Sequence, residues 1–348
     1  MSGRVAQAGE TVLNSWNGVL AASLMGLGEV VREVRPRLEQ VEEVIQSHIA
    51  ASSPRIQEAA GYVFAAGGKR LRPAVLIAAA QALGHDGDHD IGYAAAVEMI
   101  HTATLVHDDV IDHAAVRRGR ETPNARWGNQ FTVLLGDWLY TRAMEIALED
   151  GNFQSLKVLS AATQRMTEGE IVALDLQRRL DVTLEQYFEV SRLKTAELFA
   201  AASAIPATFA PRFAVFFEPL REYGRHLGLC FQIIDDLLDV TASEERLGKP
   251  VFSDLREGRL TLPFIVALPR LAARDRRVVE SILGGEPVQS DVPRRLGHAL
   301  ETCGALDEAR QLARSHARQA AEAITALPDS AAARLLRTAP LALVDRDF

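Results

Sequence analysis

Residues 101–112, HTATLVHDDVID, decide how this chain is to be read. They place carboxylates at Asp108, Asp109 and Asp112. On a helix the first and last of these share a face, because side chains four residues apart stack one turn above the other. Like charges so arranged repel, and an unassisted helix gains nothing from them. The pattern returns in FQIIDDLLD, with Asp235, Asp236 and Asp239, again at the end of an apolar approach. Two clusters of hard oxygen donors point to divalent cations that neutralise both the protein's carboxylates and a phosphorylated substrate.

Composition sets the frame around these clusters. The chain has 348 residues, 48% of them hydrophobic, enough to bury a large core. Its net charge of -8 argues against a general nucleic-acid binder, so local Lys and Arg clusters carry more meaning than the total. Cys230 and Cys303 are far apart and form neither a disulfide framework nor a metal-ligand spacing, which suits a reducing, cytoplasmic setting. The early run VLAASLMGLG is a poor signal peptide and too short for a membrane span, and no later stretch is a span either.

Outward from the motifs, the pattern is helical. Val12, Trp16, Leu20 and Leu24 mark an N-terminal amphipathic helix for packing or a dimer edge, and residues 30–51 continue the period. Gly67 and Gly68 then precede Lys69, Arg70, Leu71, Arg72 and Pro73, a basic cluster at a glycine hinge leading into an apolar helix. Glycines there let the backbone approach an anion, although the cluster taken alone reads slightly better as a helix C-cap followed by solvated cations. Residues 84–90, GHDGDHD, read as an exposed polar turn. Arg117, Arg118 and Gly119 lie in a loop just after the first acidic run. Thr183 and Gln186 have capping-box spacing for the helix that carries Lys194 and Thr195. The second acidic run is followed by a glycine-punctuated loop with Lys249, Arg256 and Arg259, and residues 284–293 read as a linker to a helical tail. No alternating strand pattern persists. The expected architecture is all-α, with helices surrounding a deep central cavity, an N-terminal helical extension over residues 1–28 and a catalytic domain with its tail over 29–348.

The ordered set GGKRLRP, HDDVID, RRG, KTAELF, FQIIDDLLD, GKP and DLREG resembles the trans-isoprenyl diphosphate synthases, the polyprenyl synthetase family. The resemblance implies the isoprenoid synthase fold and a prenyltransferase that joins isopentenyl diphosphate head-to-tail to an allylic diphosphate. It implies three Mg²⁺ ions, two at Asp108 and Asp112 with Asp109 in support, the third at Asp235 with help from Asp236 and Asp239. Arg117, Lys194 and Lys249 would contact the allylic diphosphate, and Lys69, Arg72, His101 and Arg118 the isopentenyl diphosphate. Thr195 and Gln232 would turn oxygen dipoles toward the allylic cation. A homodimer is also implied.

Product length, on the same resemblance, depends on what lies below Asp108. One helical turn rises about 5.4 Å, close to one isoprene unit. Ala103 and Thr104 are not aromatic plugs, which favours a medium or long polyprenyl chain over geranylgeranyl length. Ile100, Met99, Trp138 or Met144 would then supply a floor. Phe252 stands where the family commonly has glycine, Arg259 where it has lysine, and Ala173 where it often has glutamine. A terpene cyclase would need no second diphosphate site, and a noncatalytic partner subunit would be expected to lose aspartates or basic ligands that this chain keeps.

Overall fold

The computed structural model describes residues 25–241 and 251–344, which form seventeen α-helices and one very short hairpin. Helices α1 (Met25–Glu33), α2 (Arg35–Ala50) and α3 (Pro54–Ala65) come first. Pro36 sits in the first turn of α2, where its missing N–H costs nothing, and it separates α2 from α1. The N-terminal helix expected around Trp16 falls outside the described residues except for its last two positions. α1 itself crosses the expected boundary between residues 28 and 29.

The centre is built from α4 (Leu71–Ala82), α5 (His89–Ile111), α10 (Glu197–Ala204) and α11 (Phe217–Thr241). α4 and α10 are apolar on nearly every side and are buried all round, as a helix without a polar face must be. α10 packs against α4 and α11, and α5 packs against α4 and α7 (Asn129–Glu149). Between them run α6 (Pro123–Trp127), α8 (Phe153–Leu176) and α9 (Leu184–Ser191), the last closed by the expected Thr183–Gln186 capping box. Past the second acidic run come the single-turn α12 (Ser253–Arg256), then α13 (Leu262–Ala267), α14 (Ala273–Leu283), α15 (Val292–Thr302), α16 (Ala305–Ala323) and α17 (Ala331–Val344). The tail is part of the core: α16 lies along α11, and α17 packs on α16 and α1.

Two local expectations are corrected. Residues 116–121 contain an antiparallel pair, β1 (Val116–Arg117) and β2 (Arg120–Glu121), too short to show an alternating pattern. The stretch 84–90 is not wholly an exposed turn, because Asp90 is buried and accepts from Arg37 Nε at 2.8 Å and Nη2 at 2.5 Å.

Where α11 meets α16, His226 Nδ1 and His316 Nδ1 stand 3.0 Å apart. Burial, and then the second imidazole, push His316 down to about 4. A base whose folded pKa lies below its unfolded value contributes fully above about pH 6.5 and loses that contribution as pH falls toward the folded value. Acidification from pH 7 to 5 should therefore cost on the order of 1 kcal/mol at this junction. Chemical denaturation should show that slope, and His316→Phe should flatten it.

Candidate active site

The first acidic run ends α5, and each of its carboxylates is treated differently. Asp108 has no side-chain hydrogen bond or ion pair among the described residues, and burial, countered in part by Lys194, pushes it up to about 6. Asp109 is buried and accepts from Arg117 Nε at 2.6 Å. The loop carrying Arg117 is turned back onto the end of α5 by Asn124, whose Nδ2 donates to the carbonyls of Asp109 at 3.1 Å and Ala114 at 3.0 Å. Asp112 accepts from Arg259 Nη1 at 3.2 Å.

The second run ends α11 in the same graded way. Asp235 is exposed, whereas Asp236 and Asp239 are buried. Tyr187 Oη donates to Asp236 Oδ2 at 2.6 Å and Gln232 Nε2 to Oδ1 at 2.8 Å. Burial, and then the charge of Asp254, push Asp236 up to about 8. Asp239 accepts from Ser253 N at 3.1 Å and Oγ at 2.5 Å, and from Asp254 N at 3.3 Å. It tethers the returning loop at α12 with both of its oxygens. Lys249 and the rest of GKP lie outside the described residues.

Arg259 joins the two runs. One guanidinium reaches Asp112, Asp254 at 2.6 Å and Glu257, and Asp254 lies beside the tether at Asp239. The fork can hold several carboxylates at once, which a lysine ammonium at the same place would do less well. Phe252 just before α12 is fully buried, edge-on to Phe264 at 5.6 Å, with φ of 62° in the left-handed region. That backbone explains why glycine suits the position. Phe252→Gly should relieve roughly 1–2 kcal/mol of strain and lose roughly 3–5 kcal/mol of aromatic packing, a net destabilisation of about 2 kcal/mol that denaturant unfolding can measure.

Lys194 and Thr195 sit in a π-turn, Arg192–Ala196, of the kind that interrupts helices at functional sites. Two glycines make room for it. A Cβ on Gly169 would stand 2.5 Å from Leu193 Cβ, and one on Gly228 would stand 2.5 Å from Ala196 Cα. The wedge pairs Lys194 with Glu170 on α8 and lets Thr195 Oγ1 donate to Gln232 Oε1 at 2.8 Å. The second acidic run and Thr195 are thereby linked through Gln232.

The GGKRLRP segment stands between α3 and the start of α4. Arg72 is stacked over Phe199 at 4.4 Å, its Nε is buried without a hydrogen-bond partner, and burial lowers its pKa to about 10. Lys69 Nζ lies 5.9 Å from the Phe231 ring centre, and Arg118 donates to the Gly67 carbonyl. Burial, and then the neighbouring Arg72, hold His101 well below the usual imidazole range. Thr104 lies one turn from both Ile100 and Asp108, and Ile100 and Ala103 are buried toward the side of His107, whose ring packs on Gly136 of α7. Trp138 and Met144 are half-buried on α7, and Met99 is buried.

The sequence reading missed Glu170, Tyr187, Ser253, Asp254 and Glu98. Asp254 opens the DLREG motif and Ser253 follows Phe252, but the pairings Glu170–Lys194, Tyr187–Asp236, Ser253–Asp239 and Glu98–Arg70 all join positions distant in sequence. Among the described residues no three acidic, imidazole or thiol groups converge as a ready-made metal cage. The donor set nevertheless fits a hard cation. It is all carboxylate oxygen, and Asp108 is a charged group to which the described residues supply no hydrogen bond.

A family model described as polyprenyl synthetase matches residues 53–298. The octaprenyl diphosphate synthase of Escherichia coli (strain K12) is 39% identical over 297 residues, covering 83% of this chain and 90% of that protein. A short chain isoprenyl diphosphate synthase of Methanothermobacter thermautotrophicus is 36% identical over 316 residues, covering 88% and 96%. The crystal structure of a polyprenyl synthase from Caulobacter crescentus CB15, complexed with calcium and isoprenyl diphosphate, superposes with a TM-score of 0.86 at 37% identity, covering 92% of this chain and 98% of that one.

Proposed function

The chain belongs to the polyprenyl synthetase family, and on that premise we propose the division of labour by which it acts as a trans-prenyltransferase on isopentenyl diphosphate and an allylic diphosphate. The observation that carries the proposal is Arg259, which ties the end of α5 at Asp112 to the segment tethered to the end of α11 and so brings the two acidic runs together. Asp108, Asp112 and Asp235 would hold Mg²⁺, three ions in all with diphosphate present, while Asp109, Asp236 and Asp239 fix the walls. Bound there, Mg²⁺ supplies charge neutralisation for the departing diphosphate.

The chain's own residues supply the rest. Arg117 and Lys194, with Lys249 of the GKP motif, stabilise charge gathering on the leaving oxygen. Thr195 and Gln232, locked together, present oxygen dipoles to the allylic carbon as its C–O bond breaks. Lys69, Arg72, His101 and Arg118 hold isopentenyl diphosphate with its double bond toward that carbon. The new C–C bond forms, and the proton lost from the adduct passes to the released diphosphate.

We assign a medium or long product, because Ala103 is small and lies at the seam of α5 and α7 where a growing chain would run. Exposed apolar side chains on α7 and α8, Leu134 at 66% and Ile171 at 57%, support a homodimer through those helices, which light scattering would show as twice the chain mass. Among the described residues no helix is long and apolar enough to cross a membrane. A cytoplasmic setting belongs to the same reading, as does the division into an extension over residues 1–28 and a catalytic domain beyond it.

The test is incorporation of labelled isopentenyl diphosphate by the purified protein with Mg²⁺ and dimethylallyl, geranyl, farnesyl or geranylgeranyl diphosphate, followed by product sizing. Elongation abolished by chelator is expected. A cyclic hydrocarbon from an allylic diphosphate alone, or inactivity with every starter, would overturn the proposal.

A further inference from the structure

Behind the cations assigned to isopentenyl diphosphate lies an ion-pair cluster that the reaction as described does not use. Arg70 stands between Lys69 and Arg72, yet its guanidinium is buried in the protein. Its Nε donates to Glu42 Oε1 on α2 at 2.5 Å, and its Nη1 to Glu98 Oε1 on α5 at 2.7 Å. Glu98 is buried as well and lies three residues before His101, so one carboxylate couples the GGKRLRP segment to the helix that carries His101 and Asp108.

The backbone is shaped around this pairing. Arg70 has φ of 47°, in the left-handed region that L-residues other than glycine and asparagine seldom adopt, and a Cβ on Gly68 would stand 2.7 Å from Arg70 Nη1. A residue held in that conformation needs surroundings that over-determine it, and such conformations gather at ligand clamps. Stability alone is a weak reason for the cluster, since buried ion pairs can often be replaced by apolar residues of similar volume without loss.

We propose that Arg70, clamped by Glu98 and Glu42, is a positioning residue that sets the spacing of Lys69 and Arg72 and so governs capture of isopentenyl diphosphate. The proposal rests on the assignment of Lys69 and Arg72 to that substrate. Released from its carboxylates, Arg70 would relax to the right-handed well, and the side chains before and after it would change their mutual direction. The π-turn that carries the allylic-side residues Lys194 and Thr195 would be left in place.

The experiment compares Arg70→Met, Glu42→Gln, Arg72→Ala and the double variant Arg70→Met/Glu98→Leu, each confirmed folded by circular dichroism and measured below its own Tm. Arg70→Met should raise KM for isopentenyl diphosphate about tenfold, a modest cost for misplacement on the ångström scale. Its kcat and allylic KM should stay within about twofold of the parent, and Glu42→Gln should fall between the two. The double variant should regain Tm while keeping the raised KM. An unchanged KM for isopentenyl diphosphate in folded Arg70→Met, an equal rise for both substrates, or recovery of KM in the double variant would overturn the proposal. Arg72→Ala separates the two layers: if it too leaves that KM unchanged, the assignment of the site itself has failed.

Discussion

Asp108→Asn is expected to lower kcat by about three orders of magnitude, roughly 4 kcal/mol of transition-state stabilisation, while leaving the fold intact. The amide keeps the shape of the carboxyl and removes its charge. Nothing structural depends on that charge, because the Asp108 carboxylate carries no hydrogen bond among the described residues, and burial raises its pKa to about 6. A carboxyl with a raised folded pKa weakens the unliganded protein above that pKa, so the variant should gain on the order of 1 kcal/mol of stability at pH 7 even as it loses activity. Opposite signs for the two effects separate this residue from a framework aspartate. Asp239, whose oxygens hold Ser253 and Asp254, should lose both activity and stability when changed to Asn. A kcat for Asp108→Asn within tenfold of the parent would remove Asp108 from the proposed ion site.

Ala103→Phe is expected to shorten the product by several isoprene units with little loss of first-condensation rate. Ala103 is 2% exposed and shares the α7-facing side of α5 with Ile100 and His107. A phenyl group there projects about as far as one helical turn rises, about 5.4 Å, and closes the seam below the reacting carbon. Asp108, five residues further along the helix, is untouched. Product sizing by mass spectrometry after exhaustive elongation reads the effect directly. A product distribution equal to the parent's would place the growing chain elsewhere, with Thr104, one turn from Asp108, the next residue to enlarge.

Much of the helical frame and of the site was legible because its signals are local. Carboxylates at i and i+4 after an apolar run mark both acidic helix ends, and the Thr183–Gln186 spacing marks a helix start that the structure forms as a capping box. What stayed hidden depends on partners distant along the chain. Nothing near Asp90 announces Arg37, nothing near Asp239 announces Ser253, and Arg70 reads as one more basic residue until Glu98 and Glu42 are seen to enclose it. Gly169 and Gly228 look like weak points in helices. They prove to be where α8 and α11 approach the π-turn closely enough to exclude any side chain. The hairpin at residues 116–121 was invisible because two-residue strands have no period to detect.

In this mechanism the two acidic helix ends act together on one allylic diphosphate. A double-mutant cycle on kcat, with Asp108→Asn, Asp235→Asn and the double variant, tests it most directly. Groups that act as a unit give losses far from additive. The double variant should be no more than about tenfold slower than the worse single variant. Losses that multiply in full would mean that the two runs work independently and would contradict the account.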